Sequence, residues 1–326
     1  MWKIPIQFIL LHIIVINGCF TTCPNYHYKP HSTHAEFLTL LPDDRNMSDI
    51  ALVGTQSSAI DSHQSLSIND QLEFGVRVFD ITVRPFSDEL AVYDDLVFAY
   101  QTFGDILDVF VQFLVDHPEE FLIVLMNQAH IMPYNTSKSV CQILETYLKP
   151  NMLKIWSLNA KIKEYRGKIL FATINDWSFN DCVVHLGSRC LVSSDFRVND
   201  GDVEDLALEE IKAIEFMKLQ DASFLENHKC FINIVALKNR KGSITYKVAI
   251  EGLGGSYCSM PMNVRVANTF VNPHRALIIL LTDFPTQELI KHVINSNNHN
   301  YSKNVWDVDA HYDPKVDITN FMSKIQ

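Results

Sequence analysis

LVGTQSSAIDSHQSLSINDQLEFGVRVFDITVRP, residues 52–85, decides the fold. Its start belongs to IALVG (50–54), an apolar run that breaks into Thr-Gln-Ser-Ser and reads as a strand ending in a polar loop. SINDQLEFG (67–75) reads as a helix, with Ser67 as cap and Asp70 three residues on. VRVFDITV (76–83) is rich in β-formers and reads as the next strand.

Outward from this passage the alternation continues. ELAVY (89–93) reads as a strand. DILDVFVQFLVDHP (105–118) has apolar residues at 106, 107, 110, 113 and 114, a helical period that stops at Pro118. FLIVLMN (121–127) is continuously apolar, as a strand covered on both faces must be. SKSVCQILETYL (137–148), KILFATI (168–174), residues 201–220, CFINIVAL (230–237), ALIILLTDF (276–284) and TQELIKHVINSN (286–297) read as helix, strand, helix, strand, strand and helix. Alternating strands and helices imply an α/β fold with a parallel sheet, and their number suits a distorted (β/α)8 TIM barrel. An open doubly wound sheet is the other arrangement, weakened because no G-x-G-x-x-G follows a strand.

The chain has 326 residues and no Pro/Gly/Ser-rich linker, so one barrel is expected. The expected boundaries are a signal peptide over 1–18, an N-terminal extension over 19–44 and the barrel over 45–326. Lys3 followed by the apolar run 4–16 fits a secretory leader and is too short to span a bilayer. An uncleaved membrane anchor, or a lipoprotein signal at INGC (16–19), remains open. No later segment is long enough to cross a membrane, and a secreted, extracellular protein is expected. Cys23, Cys141, Cys182, Cys190, Cys230 and Cys258 remain after cleavage, an even number if Cys19 is removed as well. Cys182 and Cys190, close in sequence, are the expected disulfide, against buried free thiols. Sequons at Asn46, Asn135 and Asn300 favour a glycoprotein on the eukaryotic secretory route. No C-x-x-C pair occurs, so zinc is not expected. The net charge of −11, without a basic run, excludes nucleic acid as a partner and disfavours strongly anionic membranes, though not local contact with lipid.

In a parallel barrel the chemistry sits at the carboxyl ends of the strands. That rule selects residues 54–58, 80–84, 93–95, 127–130 and 282–284.

The quoted passage resembles the opening of the phosphatidylinositol-specific phospholipase C X-domain family. That family has a strand, Gly-Thr-His-Asp/Asn-Ser, a Gln-x-x-Ser-Ile-x-x-Gln-Leu helix and a Gly-Ile-Arg-x-x-Asp strand. Here these blocks read Gly54-Thr55, then Gln64, Ser67, Ile68, Gln71 and Leu72, then Gly75, Val76, Arg77 and Asp80. Residues 103–126, 165–171 and 280–297 resemble later blocks in the same order. The resemblance implies a distorted PLC-like phosphodiesterase barrel that cleaves a phosphodiester with two histidines as acid and base. The first histidine's position holds Gln56, with Ser57 beside it, and the second falls on Asp94, between Tyr93 and Asp95. The position that carries an arginine in the secreted bacterial branch and a calcium ligand in the other holds Thr82. A further calcium-ligand position falls on Asn127 or Gln128, so calcium and other cofactors are not expected. Asp80 and Asp283 match acidic positions of the family.

Gln56 cannot take a proton, and Asp94 could serve as an acid only if burial raised its pKa strongly. Strand alternation puts Arg84 on the face of Asp80 and Thr82, where it could contact a ligand phosphate, against a solvated loop arginine. His63, in the loop after Gln56, and His130, after the fourth strand, could be recruited as catalytic groups, against the reading of lone loop histidines that are simply exposed. G-x-S-x-G is absent, so Ser57 and Ser58 are not expected as nucleophiles. The resemblance therefore implies a catalytically degenerate phospholipase-like protein. It would bind a phosphoinositide or inositol phosphate headgroup, or a protein partner, with peripheral membrane contact. An active phosphodiesterase with altered acid and base, and a barrel used only as scaffold, are the alternatives.

Overall fold

In the computed structural model, residues 33–94, 96–174, 176–179, 182–193, 230–236, 245–251, 261–269 and 276–298 are described. The expected helix over 201–220, the leader, Asp95, Cys23, Cys258 and Asn300 lie outside them. The elements that position the site are β1 (Ala51–Thr55), α1 (Ile68–Phe74), β2 (Val78–Phe86), β3 (Glu89–Asp94), β4 (Val97–Thr102), α2 (Phe103–Asp116), β5 (Leu122–Gln128) and α3 (Val140–Tyr147). They continue with β6 (Met152–Leu153), β7 (Ile169–Thr173), β8 (Val184–His185), β9 (Leu191–Val192), β10 (Cys230–Ile234), α4 (Met262–Thr269), β11 (Leu277–Thr282) and α5 (Gln287–Ser296).

The sheet runs β6-β7-β5-β2-β1-β11-β10-β9, every neighbour parallel, with β8 also on β7. This is the curled parallel sheet of a distorted TIM-type barrel. ELAVY is a strand, but β2, β3 and β4 form an antiparallel excursion from the barrel, and the sequence reading missed β4. Alternation separates two cores. Leu52, Val78, Ile123, Leu125, Leu170, Ile232, Ile279 and Leu281 point inward into one. Val53, Phe79, Ile81, Val124, Phe171 and Leu280 point outward and pack with the helices.

Local chemistry explains the key joins. Ser67 caps α1 by accepting from the Asp70 N–H, and Gly75 ends it at φ 103°, a left-handed conformation that favours glycine. Gly54 stands where strands crowd: a Cβ there would lie 2.6 Å from Leu281 Cδ2 and 2.7 Å from Val78 Cβ. At the amino end of the strands Arg77 is fully buried. Its Nε donates to Glu120 Oε2 at 2.8 Å, and its other nitrogens donate to the carbonyls of Leu72, Val76, His34 and Ala35. Phe37 and Phe113 flank the guanidinium. The last part of the expected N-terminal extension thus joins this end of the barrel, with Phe37 and Leu38 in its core. Among the described residues no helix is long and apolar enough to cross a membrane.

The expected Cys182–Cys190 disulfide is not formed. Cys141 on α3 bonds Cys182, and Cys190 bonds Cys230 at the start of β10, with Cα separations of 5.5 and 4.6 Å. Nearness in sequence misled because the two cysteines serve different layers. Cys182 packs in the outer core, and Cys190 packs in the inner one.

Candidate functional site at the barrel mouth

The inward positions at the carboxyl ends of four adjacent strands carry polar side chains. Continuing the alternation of Leu52, Val78, Leu125 and Leu281 leads to Gln56, Asp80 and Thr82, Asn127 and Asp283. The loop between β1 and α1, residues 56–67, joins them. Its Ser57 N–H donates to Asp80 Oδ2 at 3.1 Å, and Asn127 Nδ2 donates to Asp80 Oδ1. Its Ser62 hydroxyl donates to Asp94 Oδ2 at 3.3 Å. Its His63 Nδ1 lies 3.0 Å from Asp283 Oδ1. Asp80, Asp94 and Asp283, distant in sequence, therefore border one loop, which begins with Gln56.

Buried polar side chains hold the loop in shape. The Ser58 hydroxyl accepts from the Asp80 N–H and donates to the Thr55 carbonyl. Gln71 donates to the carbonyls of Ser58 and Leu66 and accepts from the Thr55 hydroxyl. Gln64 donates to the carbonyls of Gln56 and Thr282 and accepts from the Phe284 N–H. Ser57 sits at φ 44°, a left-handed conformation that costs a non-glycine residue about 1 kcal/mol or more, and this network over-determines it.

The residues singled out from the sequence fare differently. Gln56 is half-buried, and its side-chain amide makes no hydrogen bond with a described residue. Thr82 and Asp94 are half-buried. Arg84 shares the face of Asp80 and Thr82 as expected, but its guanidinium is engaged. Nε donates to the Met132 carbonyl, NH1 donates to the Tyr93 hydroxyl at 2.9 Å, and the group lies over the Tyr93 ring. His130 is exposed, as read. His63 is not: it is 5% exposed. Periodicity in a loop says nothing about burial, and the aspartate that draws the ring inward lies 220 residues away. Burial lowers the His63 pKa, but the hydrogen bond it donates to Asp283 and the charges of Asp283, Asp94 and Asp80 outweigh it, and the net direction is upward. Its Nε2 has no hydrogen-bond partner among the described residues. Asn127 as partner of Asp80 was also missed, since a strand-end amide carries no signal until its neighbours are known. No group of three or more metal-ligating side chains occurs among the described residues.

Beside the mouth, the β2–β3–β4 excursion and the loop after β5 form a rim. Phe86 stacks on Tyr134 at 4.9 Å, and Tyr93, Phe98 and Tyr100 form a chain of ring contacts. Val97, Tyr100 and Met132 are exposed at 65%, 89% and 81%. Separately, a cavity of about 350 Å³ lies between the β1–α1 loop and α2, lined by Ser58, Ile60, Asp61, Gln101 and Asp105 among others.

No family model matches the chain. It is similar to the 1-phosphatidylinositol phosphodiesterase of Listeria monocytogenes, with 21% identity over 301 residues, 85% of this chain and 89% of that protein. Among solved structures it matches a phosphatidylinositol-specific phospholipase C of Staphylococcus aureus with a TM-score of 0.63 and 15% identity, over 82% of this chain and 98% of that one. The phosphatidylinositol-specific phospholipase C of Listeria monocytogenes matches with a TM-score of 0.55 and 18% identity, over 82% and 99%. The chain has the fold of these phospholipases and a sequence relation to one of them, which bears out the resemblance drawn from residues 52–85.

Proposed function

We propose that this chain is a secreted phosphatidylinositol-specific phospholipase C-like protein. On this reading it has lost the acid–base pair needed to cleave a phospholipid and acts by binding a ligand or partner at the barrel mouth. The observation that carries this reading is the β1–α1 loop. It gathers Asp80, Asp94 and Asp283 at the mouth, while the two positions that the resemblance assigns to histidine hold a non-titrating amide and a half-buried carboxylate, Gln56 and Asp94. Cleavage needs a base on the attacking hydroxyl and an acid on the leaving oxygen, and each contributes about 10²–10⁴ in rate. Arg84, engaged by Tyr93 and Met132, is poorly placed to restore positive charge at a phosphate.

The ligand class is an inositol-bearing headgroup, by analogy with what the similar proteins are named for. The exposed apolar rim supports peripheral contact with a lipid surface or a protein. Calcium is not part of the proposal.

The test is incubation of the purified protein with phosphatidylinositol vesicles and, separately, measurement of its binding to inositol phosphate. Binding without cleavage is expected, weakened by Gln56→Ala. Cleavage that disappears in Asp94→Asn would restore an active phosphodiesterase. Absence of binding to either probe would leave the barrel as a scaffold.

A further inference from the structure

Acid and base do separable work in phosphodiester cleavage. The base removes a proton from the attacking oxygen. The acid is needed in proportion to the basicity of the leaving oxygen. An alkoxide leaves poorly without a proton, whereas a stabilised aryl oxide leaves with the bonding pair unaided.

The mouth retains one group built as a base. His63 is held by Asp283 at 3.0 Å through Nδ1, both side chains being almost fully buried. A base oriented by a third group is the arrangement that activates nucleophiles in unrelated hydrolases. The carboxylate fixes the proton on Nδ1, so the neutral ring presents the Nε2 lone pair. Among the described residues that atom has no hydrogen-bond partner. Among the described residues, the charged groups that act on the ring are Asp283 from the end of β11, Asp94 from β3 and Asp80 from β2. Each stabilises the imidazolium that a base must become.

A matching acid is missing among the described residues. Gln56 does not titrate. Asp94 is half-buried, and its Oδ2 accepts from the Ser62 hydroxyl at 3.3 Å. His130 is exposed. His185 follows the inward-packed Val184 on β8, so alternation turns it outward, where it packs against Trp177.

We infer that His63 is a general base left without a general acid, so that the mouth cleaves phosphodiesters with aryl leaving groups and spares the alkyl esters of phospholipids. This rests on the proposed loss of lipid cleavage and refines it. In the step, a water gives its proton to His63 Nε2 while its oxygen bonds to phosphorus. The bond from phosphorus to the aryl oxygen breaks, and the phenolate leaves with the electron pair. The imidazolium then returns its proton to solvent.

The experiment compares bis(4-nitrophenyl) phosphate with phosphatidylinositol vesicles, using the purified protein and product measured after an alkaline quench. Slow release of 4-nitrophenolate is expected, with kcat/KM lowered about 10²-fold in His63→Gln. For the unaltered protein, kcat/KM should rise with pH through a midpoint above that of an ordinary histidine and then stay level, because no acid limb follows. Asp283→Asn should move that midpoint to lower pH, a shift that a merely structural role would not produce. Melting curves show whether each variant is folded; if His63→Gln is not, the profile of the unaltered protein and the Asp283→Asn shift decide.

No release overturns the inference and leaves the binding protein of the preceding section standing. Release that persists undiminished in folded His63→Gln overturns it as well, as does a bell-shaped profile. Cleavage of phosphatidylinositol overturns both this inference and the proposed loss of lipid cleavage.

Discussion

Glu120→Gln is the sharpest probe of what holds this barrel together. Arg77 and Glu120 are both fully buried, and their 2.8 Å contact joins the start of β2 to the turn before β5. Glu120 also accepts from the Thr39 N–H and hydroxyl, so it ties the N-terminal segment to the same point. Burial alone would push the Arg77 pKa down, and Glu120 opposes that. The substitution keeps the shape but leaves the guanidinium charge facing an uncharged amide. Leaving a buried charge without its counter-charge costs about 3–5 kcal/mol. Four carbonyls still accept from Arg77, which places the expectation near 3 kcal/mol, the lower end of that range. Urea unfolding followed by tryptophan fluorescence measures the change. The double variant Arg77→Met with Glu120→Leu should lose less than the sum of the two single changes, because it removes both charges together. A loss below about 1 kcal/mol for Glu120→Gln, or additive losses in the double variant, would refute the assignment of Arg77–Glu120 as the clamp of the strand ends.

Four further outcomes follow from the same geometry. Peptide mapping without reduction should recover Cys141 linked to Cys182 and Cys190 linked to Cys230. Opening either loop, of about 40 residues, should destabilise the protein by about 4 kcal/mol on chain-entropy grounds. Gly54→Ala should lower the melting temperature, since its Cβ would stand within 3 Å of the Val78 backbone oxygen as well as the Val78 and Leu281 side chains; an unchanged melting curve would show that the strands part freely. The raised pKa of His63 predicts a stability contribution that is complete below the unfolded histidine value of about 6.5. That contribution is lost as pH rises through the folded value, and the window should vanish from denaturation curves of His63→Gln. In a eukaryotic secretory host Asn135, exposed on the loop after β5, should carry a glycan by mass spectrometry. Asn46 should be less occupied, because its side chain accepts from Lys161 Nζ and the Met47 and Ser48 that follow are buried.

The parallel barrel was legible because its signals are local. Continuous apolar runs mark β1, β5 and β11, Ser67 and Gly75 bracket α1, and the polar Gln64 and Gln71 recur at family positions that fasten the mouth loop. The strand-end rule also found Gln56, Asp80, Asp94 and Asp283. What escaped were relations between distant segments. β4 was missed because VFAYQT shows no clean alternation, being largely exposed along its length. The disulfides escaped because pairing depends on which layer each cysteine joins. His63 escaped because only Asp283, reached by the closure of β11 against β1, makes a loop histidine into a buried one.

These two classes of residue differ in what a substitution costs, and that difference explains how a mouth can change while a barrel stays. Arg77, Glu120, Gly54 and Gln71 each satisfy buried groups or fill a place where strands touch, so replacing any of them penalises the folded state directly. Gln56, Thr82 and Asp94 are half-buried at strand ends, and their side chains make at most one weak hydrogen bond with described residues. Changing such positions is nearly free for stability. Asp80 and Asp283 stand between the two classes. They face the mouth, yet Asp80 also receives the Ser57 N–H that stabilises a left-handed loop residue, and Asp283 receives His63. Their presence therefore says less about chemistry than His63 does, because among the described residues the His63 Nε2 has no hydrogen-bond partner. The search for activity belongs at that atom before it belongs at any of the carboxylates.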